Sequence, residues 1–163
     1  MDLYILRHTS AADPHGYAQD ADRPLTETGR REAQNVADAL LEIGNKIELV
    51  LTSPYLRARE TASIITNKLK IEPPEDCGFL LPGADSTALM MFLSQRRAQS
   101  IMLVGHAPDL SYLVSTLCMG LETSGVEFSK GALALLDVER PVRRRRCRLM
   151  YLLPLRITEK LGA

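Results

Sequence analysis

The sequence predicts an α/β fold, a three-layer α/β/α sandwich around a mainly parallel central sheet. Two observations carry that expectation. Short runs of buried character, Leu3–Leu6, Ile47–Thr52 and Ile101–Val104, read as strands. The segments that follow the last two, and one that precedes the second, carry apolar residues at helical spacing, so strands and helices alternate.

The elements follow in order. Asp2-Leu3-Tyr4-Ile5-Leu6 forms the first strand and stops on Arg7-His8. Residues 9–25 show no hydrophobic period and contain Pro14, Gly16 and Pro24, which predicts a long loop of the kind that often carries function. Thr26 can cap a helix whose apolar face is Ala33, Val36, Ala37, Leu40 and Leu41, with Gly44 to end it. After the second strand, Ser53-Pro54 reads as a cap and a first-turn proline. The helix beyond carries Ala58, Ala62, Ile65 and Leu69 on one side. A short strand is expected near Gly78–Leu81 and a helix from about Ser86 to Arg97. Gly105-His106 closes the third strand, and Pro108 starts a helix with Leu110, Leu113, Val114 and Leu117 inward. Leu133–Val138 and Leu149–Leu153 form a terminal strand pair, joined through Arg140-Pro141 and Arg143–Arg146.

Composition bounds the function. At 163 residues the chain is expected to be a single domain, 1–163, with a sizeable core. Twenty basic residues balance twenty acidic ones, so neither nucleic acid nor an anionic membrane is an expected partner. The arginine run at 143–146 is read as a solvated hairpin end or an edge strand kept from aggregating by its charge, with an acidic partner as the lesser alternative. No apolar run approaches the ~20 residues of a membrane span, and no signal peptide is expected. Cys77, Cys118 and Cys147 are widely spaced and form no Cys-x-x-Cys pair, which reads as reduced thiols and a cytoplasmic protein.

The chemistry collects where the strands end. In an open α/β sheet, sites lie beyond the carboxyl ends of the strands. Parallel neighbours would therefore bring Arg7, His8, Arg57 and His106 to one edge. Arg57 falls in the first turn of its helix, where backbone N–H groups and the dipole already favour an anion. Guanidinium forks match phosphate oxygens. Dense arginine charge repels a metal, and no carboxylate or thiolate set accompanies the histidines, so no metal and no cofactor are expected.

Leu6-Arg7-His8, Arg23-Pro24-Leu25-Thr26-x-x-Gly29, Ser53-Pro54-x-x-Arg57-Ala58-x-x-Thr61-Ala62 and Val104-Gly105-His106-x-Pro108-x-Leu110 together resemble the histidine phosphatase superfamily, the phosphoglycerate mutase-like fold, in order and spacing. The short chain and its Gly-His-Ala-Pro-Asp motif look most like the SixA-type phosphohistidine phosphatases. The resemblance spans roughly residues 3–155. It implies that His8 is the nucleophile and forms a phosphohistidine intermediate that water hydrolyses. It also implies that Arg7, Arg57 and His106 hold the phosphoryl oxygens, and that Arg23 adds a phosphate contact.

There are departures from the pattern. Thr9 stands where glycine is usual, and Glu60, where glutamine is frequent, is read as orienting an arginine. Asp85 is the one candidate for the acid that many relatives use, and a helix cap is the preferred role for it. A missing acid suits a leaving group as easy as imidazole. Asp109 is read as a favourable charge in a helix's first turn, and His15 as solvated. The expected activity is metal-independent hydrolysis through a phosphoenzyme. Its partners would be a phosphorylated protein (phosphohistidine) or a small phosphate. The alternatives are a small-molecule phosphomonoesterase of the same superfamily and a catalytically silent phosphate-binding module. A mutase reading is disfavoured by the lack of room for large insertions.

Overall fold

The computed structural model describes residues 1–121 and 125–162. Its sheet has six strands: β1 (Asp2–Arg7), β2 (Leu49–Thr52), β3 (Glu75–Asp76), β4 (Ser100–Gly105), β5 (Leu133–Val138) and β6 (Cys147–Leu153). Their order is β3-β2-β4-β1-β5-β6. β1, β2, β3 and β4 run parallel, while β5 is antiparallel to both β1 and β6. The helices are α1 (Glu27–Glu42), α2 (Leu56–Leu69), α3 (Ser86–Gln95), α4 (Asp109–Met119) and α5 (Leu155–Leu161).

Side-chain alternation in the central strands builds two cores, one on each face. Leu3 and Ile5 of β1, with Leu51, Ile101 and Leu103, pack under Leu89 and Leu93 of α3 and Leu110, Leu113 and Leu117 of α4. Tyr4 and Leu6, with Val50, Met102 and Val104, face the opposite way. They cover Val36, Ala37 and Leu40 of α1 and Ala58, Ala62 and Ile65 of α2. β4 is buried along its whole length, as expected for a parallel strand covered on both sides. The three-layer expectation and the mainly parallel sheet are thus met. Among the described residues, no helix is long and apolar enough to cross a membrane.

Several local expectations shift. The segment Gly78–Leu80 is a 3₁₀ turn, and the edge strand lies earlier, at Glu75–Asp76. There the Cys77 N–H donates to the Thr52 carbonyl at 2.8 Å, which ties the chain to the end of β2. α2 begins at Leu56 with Tyr55 as its N-cap, later than Ser53-Pro54 suggested. Ser53 Oγ instead accepts the Tyr55 N–H at 3.3 Å and faces a histidine. α3 ends at Gln95, two residues short of the expected Arg97. α5 was not expected. It packs on α1, and its Thr158 is fully buried.

Other expectations hold. Thr26 caps α1, its hydroxyl accepting the Gly29 N–H at 3.0 Å. Asp85 caps α3 by accepting the Thr87 N–H at 2.8 Å. The arginine run is exposed at Arg143–Arg146, in the turn between β5 and β6.

Candidate active site

Parallel register puts the two histidines together. Arg7 of β1 pairs with Gly105 of β4, so His8 and His106 both stand one residue past adjacent strand ends. The His8 N–H donates to the Gly105 carbonyl at 3.0 Å, and the imidazole centroids are 5.1 Å apart. Thr52 of β2 pairs with Val104, which carries Ser53 to the same edge. Ser53 Oγ lies 2.8 Å from His106 Nε2.

A backbone contact sets the tautomer of His8. Its Nδ1 is 2.8 Å from the Thr9 carbonyl, which can only accept, so Nδ1 carries the proton in the neutral ring. The lone pair is left on Nε2, and Arg57 Nε donates to it at 3.2 Å. Thr9, in place of the usual glycine, is fully buried and turns its side chain to α2. Its N–H and hydroxyl both meet Thr61 Oγ1 at 3.3 Å.

The long loop returns to the site because both its ends are clipped. Ser10 gives its N–H and hydroxyl to the two oxygens of Glu32 on α1, at 2.8 and 3.0 Å. Ala11 bridges Leu25, and the Leu25 N–H donates to Glu60 at 2.7 Å. Glu60 also pairs with Arg30 at 3.1 Å, so it does orient an arginine, though one outside the cavity. Between the clips, a 3₁₀ turn at Asp20–Asp22 brings Asp20 over Arg57. Arg57 Nη1 donates to the Asp20 carbonyl at 2.7 Å, and Nη2 donates to its carboxylate at 2.8 Å. Arg23 Nη1 reaches the other carboxylate oxygen at 2.6 Å, while its Nε donates to the Ala12 carbonyl at 2.8 Å.

Electrostatics follow from burial among cations. His8 is only 6% exposed. Burial, and then the Arg57, Arg7 and Lys130 charges, lower its pKa to about 4 against the Thr9 hydrogen bond, which raises it. Burial, followed by His8 and Arg57, lowers that of His106 to about 3. Both rings are therefore neutral at pH 7. Burial and the neighbouring Arg57 also lower the pKa of Arg7. Hydrogen bonds from Arg23 and Arg57 hold the Asp20 carboxyl below its usual value and keep it ionised.

These groups line one cavity of about 490 Å³ at the carboxyl edge of the sheet. It gathers Arg7, His8, Arg23, Arg57 and His106, the five residues singled out from sequence. Asp20, Asp109 and Lys130 also line it. Asp20 and Lys130 were missed because nothing in their neighbours marks them, and both reach the site only through loop paths. Ser53 was read as a cap alone, although its place after β2, like that of His106 after β4, was a usable signal. Asp109 does sit in the first turn of α4, yet it also faces the cavity. Asp85 lies outside the cavity lining, and His15 is exposed and paired with Asp13. Among the described residues, Arg7 Nε and His106 Nδ1 are buried polar atoms with no protein partner. Such atoms call for a ligand or water.

The chain is similar to several known proteins. The family model described as histidine phosphatase superfamily, branch 1, matches residues 3–79. The phosphohistidine phosphatase SixA of Escherichia coli K12 is 33% identical over 143 residues, covering 85% of this chain and 86% of that protein. A protein of Picosynechococcus sp. is 38% identical over 123 residues, 74% of each chain. The structure of the protein histidine phosphatase SixA complexed with tungstate superposes with a TM-score of 0.85 at 28% identity, covering 95% of this chain and 97% of that one. The chain belongs to the histidine phosphatase superfamily and is a phosphatase.

Proposed function

We propose that the cavity hydrolyses a phosphoryl group through a covalent intermediate on His8, and that the substrate is phosphohistidine on a protein. One observation carries the reading: the Nε2 lone pair of a neutral, buried His8 faces a set of guanidiniums and is held there by the Nδ1–H bond to the Thr9 carbonyl. Attack requires such a lone pair, and the cations supply the stabilisation that phosphoryl transfer needs.

The steps follow from these groups. The phosphoryl oxygens take over the N–H of Arg57 that now rests on His8, together with the free Nε–H of Arg7 and donors of Arg23. If the Ser53 hydroxyl donates to His106 Nε2, then Nδ1–H of His106 becomes a further donor for an oxygen. Nε2 of His8 then forms a bond to phosphorus as the P–N bond of the substrate breaks. When the other nitrogen of the substrate ring carries a proton, the P–N electron pair leaves as the lone pair of a neutral imidazole, so the leaving group needs no proton from the enzyme. A water molecule next attacks the phosphorus, the P–Nε2 bond breaks, and phosphate leaves with His8 neutral again. The fixed cations do the work that a metal would do elsewhere, so the reaction is proposed to be metal-independent.

The carboxylates in the cavity support imidazole over an alcohol as leaving group. Asp20 is bound by Arg23 and Arg57 and ionised, and Asp109 Oδ2 accepts the Gly83 N–H at 3.2 Å. Asp20 is therefore not poised as a proton donor. The name of the related phosphohistidine phosphatase supports the same substrate. Cytoplasmic action belongs to the proposal.

The test is rapid-quench labelling with a phosphohistidine protein, a phosphotyrosine peptide and a small aryl phosphate, in chelator. The label should map to His8, survive alkali and break in mild acid. His8→Ala should abolish turnover and labelling together. Label on another residue, or turnover by His8→Ala, overturns the mechanism. Faster turnover of the aryl phosphate than of phosphohistidine overturns the substrate.

A further inference from the structure

A second cavity, of about 310 Å³, adjoins the phosphate site. His106 and Asp109 line both, so the two spaces share a wall. Between them runs the turn at residues 81–84, clasped to the start of α4 by the bond from Gly83 N–H to Asp109. Pro82 and Gly83 face the phosphate side, whereas Leu81 and Ala84 face the second cavity. The chemistry changes across that wall. One side holds Arg7, Arg23, Arg57 and Lys130. The other is walled by Leu80, Leu89, Leu110 and Leu113, with Phe79 and Tyr112 each 39% exposed at its mouth. Its one formal charge is the Asp109 carboxylate, which repels a second anion.

We propose that this cavity is a second subsite of the same active site, taking an aromatic or branched-aliphatic side chain that flanks the phosphorylated histidine on the substrate polypeptide. The inference rests on the phosphohistidine reading and names what the substrate must carry beside the phosphoryl group. Three features select that occupant. The volume is at the lower end of ligand pockets and suits one large side chain, not an extended cofactor. The apolar wall rewards burial of such a group by a factor of roughly 10 to 100 in affinity. The shared wall at His106 and Asp109 sets the apolar group next to the phosphoryl group, as on neighbouring residues of one chain.

The experiment separates this subsite from the chemistry. Methyl-, phenyl-, benzyl- and 2-phenylethylphosphonate are titrated calorimetrically into wild type and Ala84→Trp, a change that fills the cavity at a half-buried position. Thermal melts confirm that both are folded. Affinity should climb about tenfold or more from the methyl to the longest arylalkyl compound in wild type. Ala84→Trp should erase the climb and bind methylphosphonate as wild type does. In parallel, phosphohistidine peptides flanked by glycine are compared with peptides carrying phenylalanine at each neighbouring position. One phenylalanine position should raise kcat/KM for wild type and not for Ala84→Trp.

A flat phosphonate series, or a climb that persists in Ala84→Trp, overturns the subsite. Sedimentation showing a dimer that Ala84→Trp dissolves would assign the cavity to a second copy of the chain and overturn the occupant. Failure of the phosphohistidine reading shows separately, as no turnover of the glycine-flanked peptide.

Discussion

Nε of Arg57 donates to Nε2 of His8 across 3.2 Å, so the resting site keeps the nucleophilic lone pair covered by the cation that will bind the phosphoryl group. Arg57 is also tied through both terminal nitrogens to Asp20. Its planar fork is thus fixed in three directions, which a lysine cannot reproduce. Arg57→Ala should lower kcat/KM by a factor of about 100 or more, since a charge-assisted bond contributes about 1.5–3 kcal/mol and more than one is lost. Arg57→Lys should recover only part of the loss. Steady-state kinetics on a phosphohistidine peptide, with circular dichroism to show an intact fold, checks both. Full activity with lysine would mean that net charge alone matters.

Asp20 competes with phosphate for the guanidiniums of Arg23 and Arg57. Asp20→Asn removes a negative charge from the cavity and leaves a carbonyl oxygen able to accept. Orthophosphate should then inhibit more tightly, by about threefold to tenfold, because like-charge repulsion is relieved. Turnover should fall, because Arg57 is less firmly placed. The inhibition constant and kcat read the two effects apart. Weaker phosphate inhibition with unchanged kcat would remove Asp20 from the site's electrostatics.

The imidazoles give the pH dependence. With folded values of about 4 for His8 and about 3 for His106, both nucleophile and partner stay neutral well below the ordinary histidine value of 6.5. The kcat/KM of the free enzyme, followed on an acid-tolerant aryl phosphate, should hold as pH falls toward about 5 and drop as His8 protonates near about 4.

Stability follows the same linkage. The unfolded chain binds protons at these histidines below about 6.5 and the folded chain does not until lower pH. This contribution is therefore fully present above about 6.5 and is lost progressively as pH falls toward about 4. Replacing both histidines by asparagine should flatten that part of the stability curve, measured by urea unfolding between about pH 7 and about pH 4.5.

Gly29 holds the loop to α1 by having no side chain. A Cβ built there would lie 1.9 Å from the Ser10 carbonyl oxygen, which is backbone and cannot swing aside. Gly29→Ala gains about 1 kcal/mol of helix propensity. The clash should outweigh it, for a net loss of about 1–3 kcal/mol. Because Ser10 follows Thr9, whose carbonyl sets the His8 tautomer, kcat should fall as well. Unfolding and kinetics on the same preparation test the pairing, and a Gly29→Ala protein as stable and active as wild type would refute it.

The alternation of strands and helices, the faces that meet the sheet, and the strand ends carrying Arg7, His8 and His106 were all legible in the chain itself. Those properties follow from period and from local turn chemistry, which a chain carries in its neighbouring residues. Arg57 was legible for the same reason, as it sits at the opening of a helix just after a strand. Partners across long separations came only with folding. Asp20 meets Arg57 because the clips at Ser10–Glu32 and Leu25–Glu60 fold the loop back. Ser53 meets His106 because β2 and β4 pair in a particular register.

The short elements were decided in the same way. β3 has two residues and α5 has seven, too few for either to announce itself by period, and each exists because a neighbour covers it. The apolar cavity beside His106 is assembled from the turn after Cys77, the start of α3 and the inner face of α4. Leu110 and Leu113 of its wall read in sequence as ordinary core. Only their packing leaves a space open next to the phosphate site, because a gap between elements is a property of their arrangement and of no single segment.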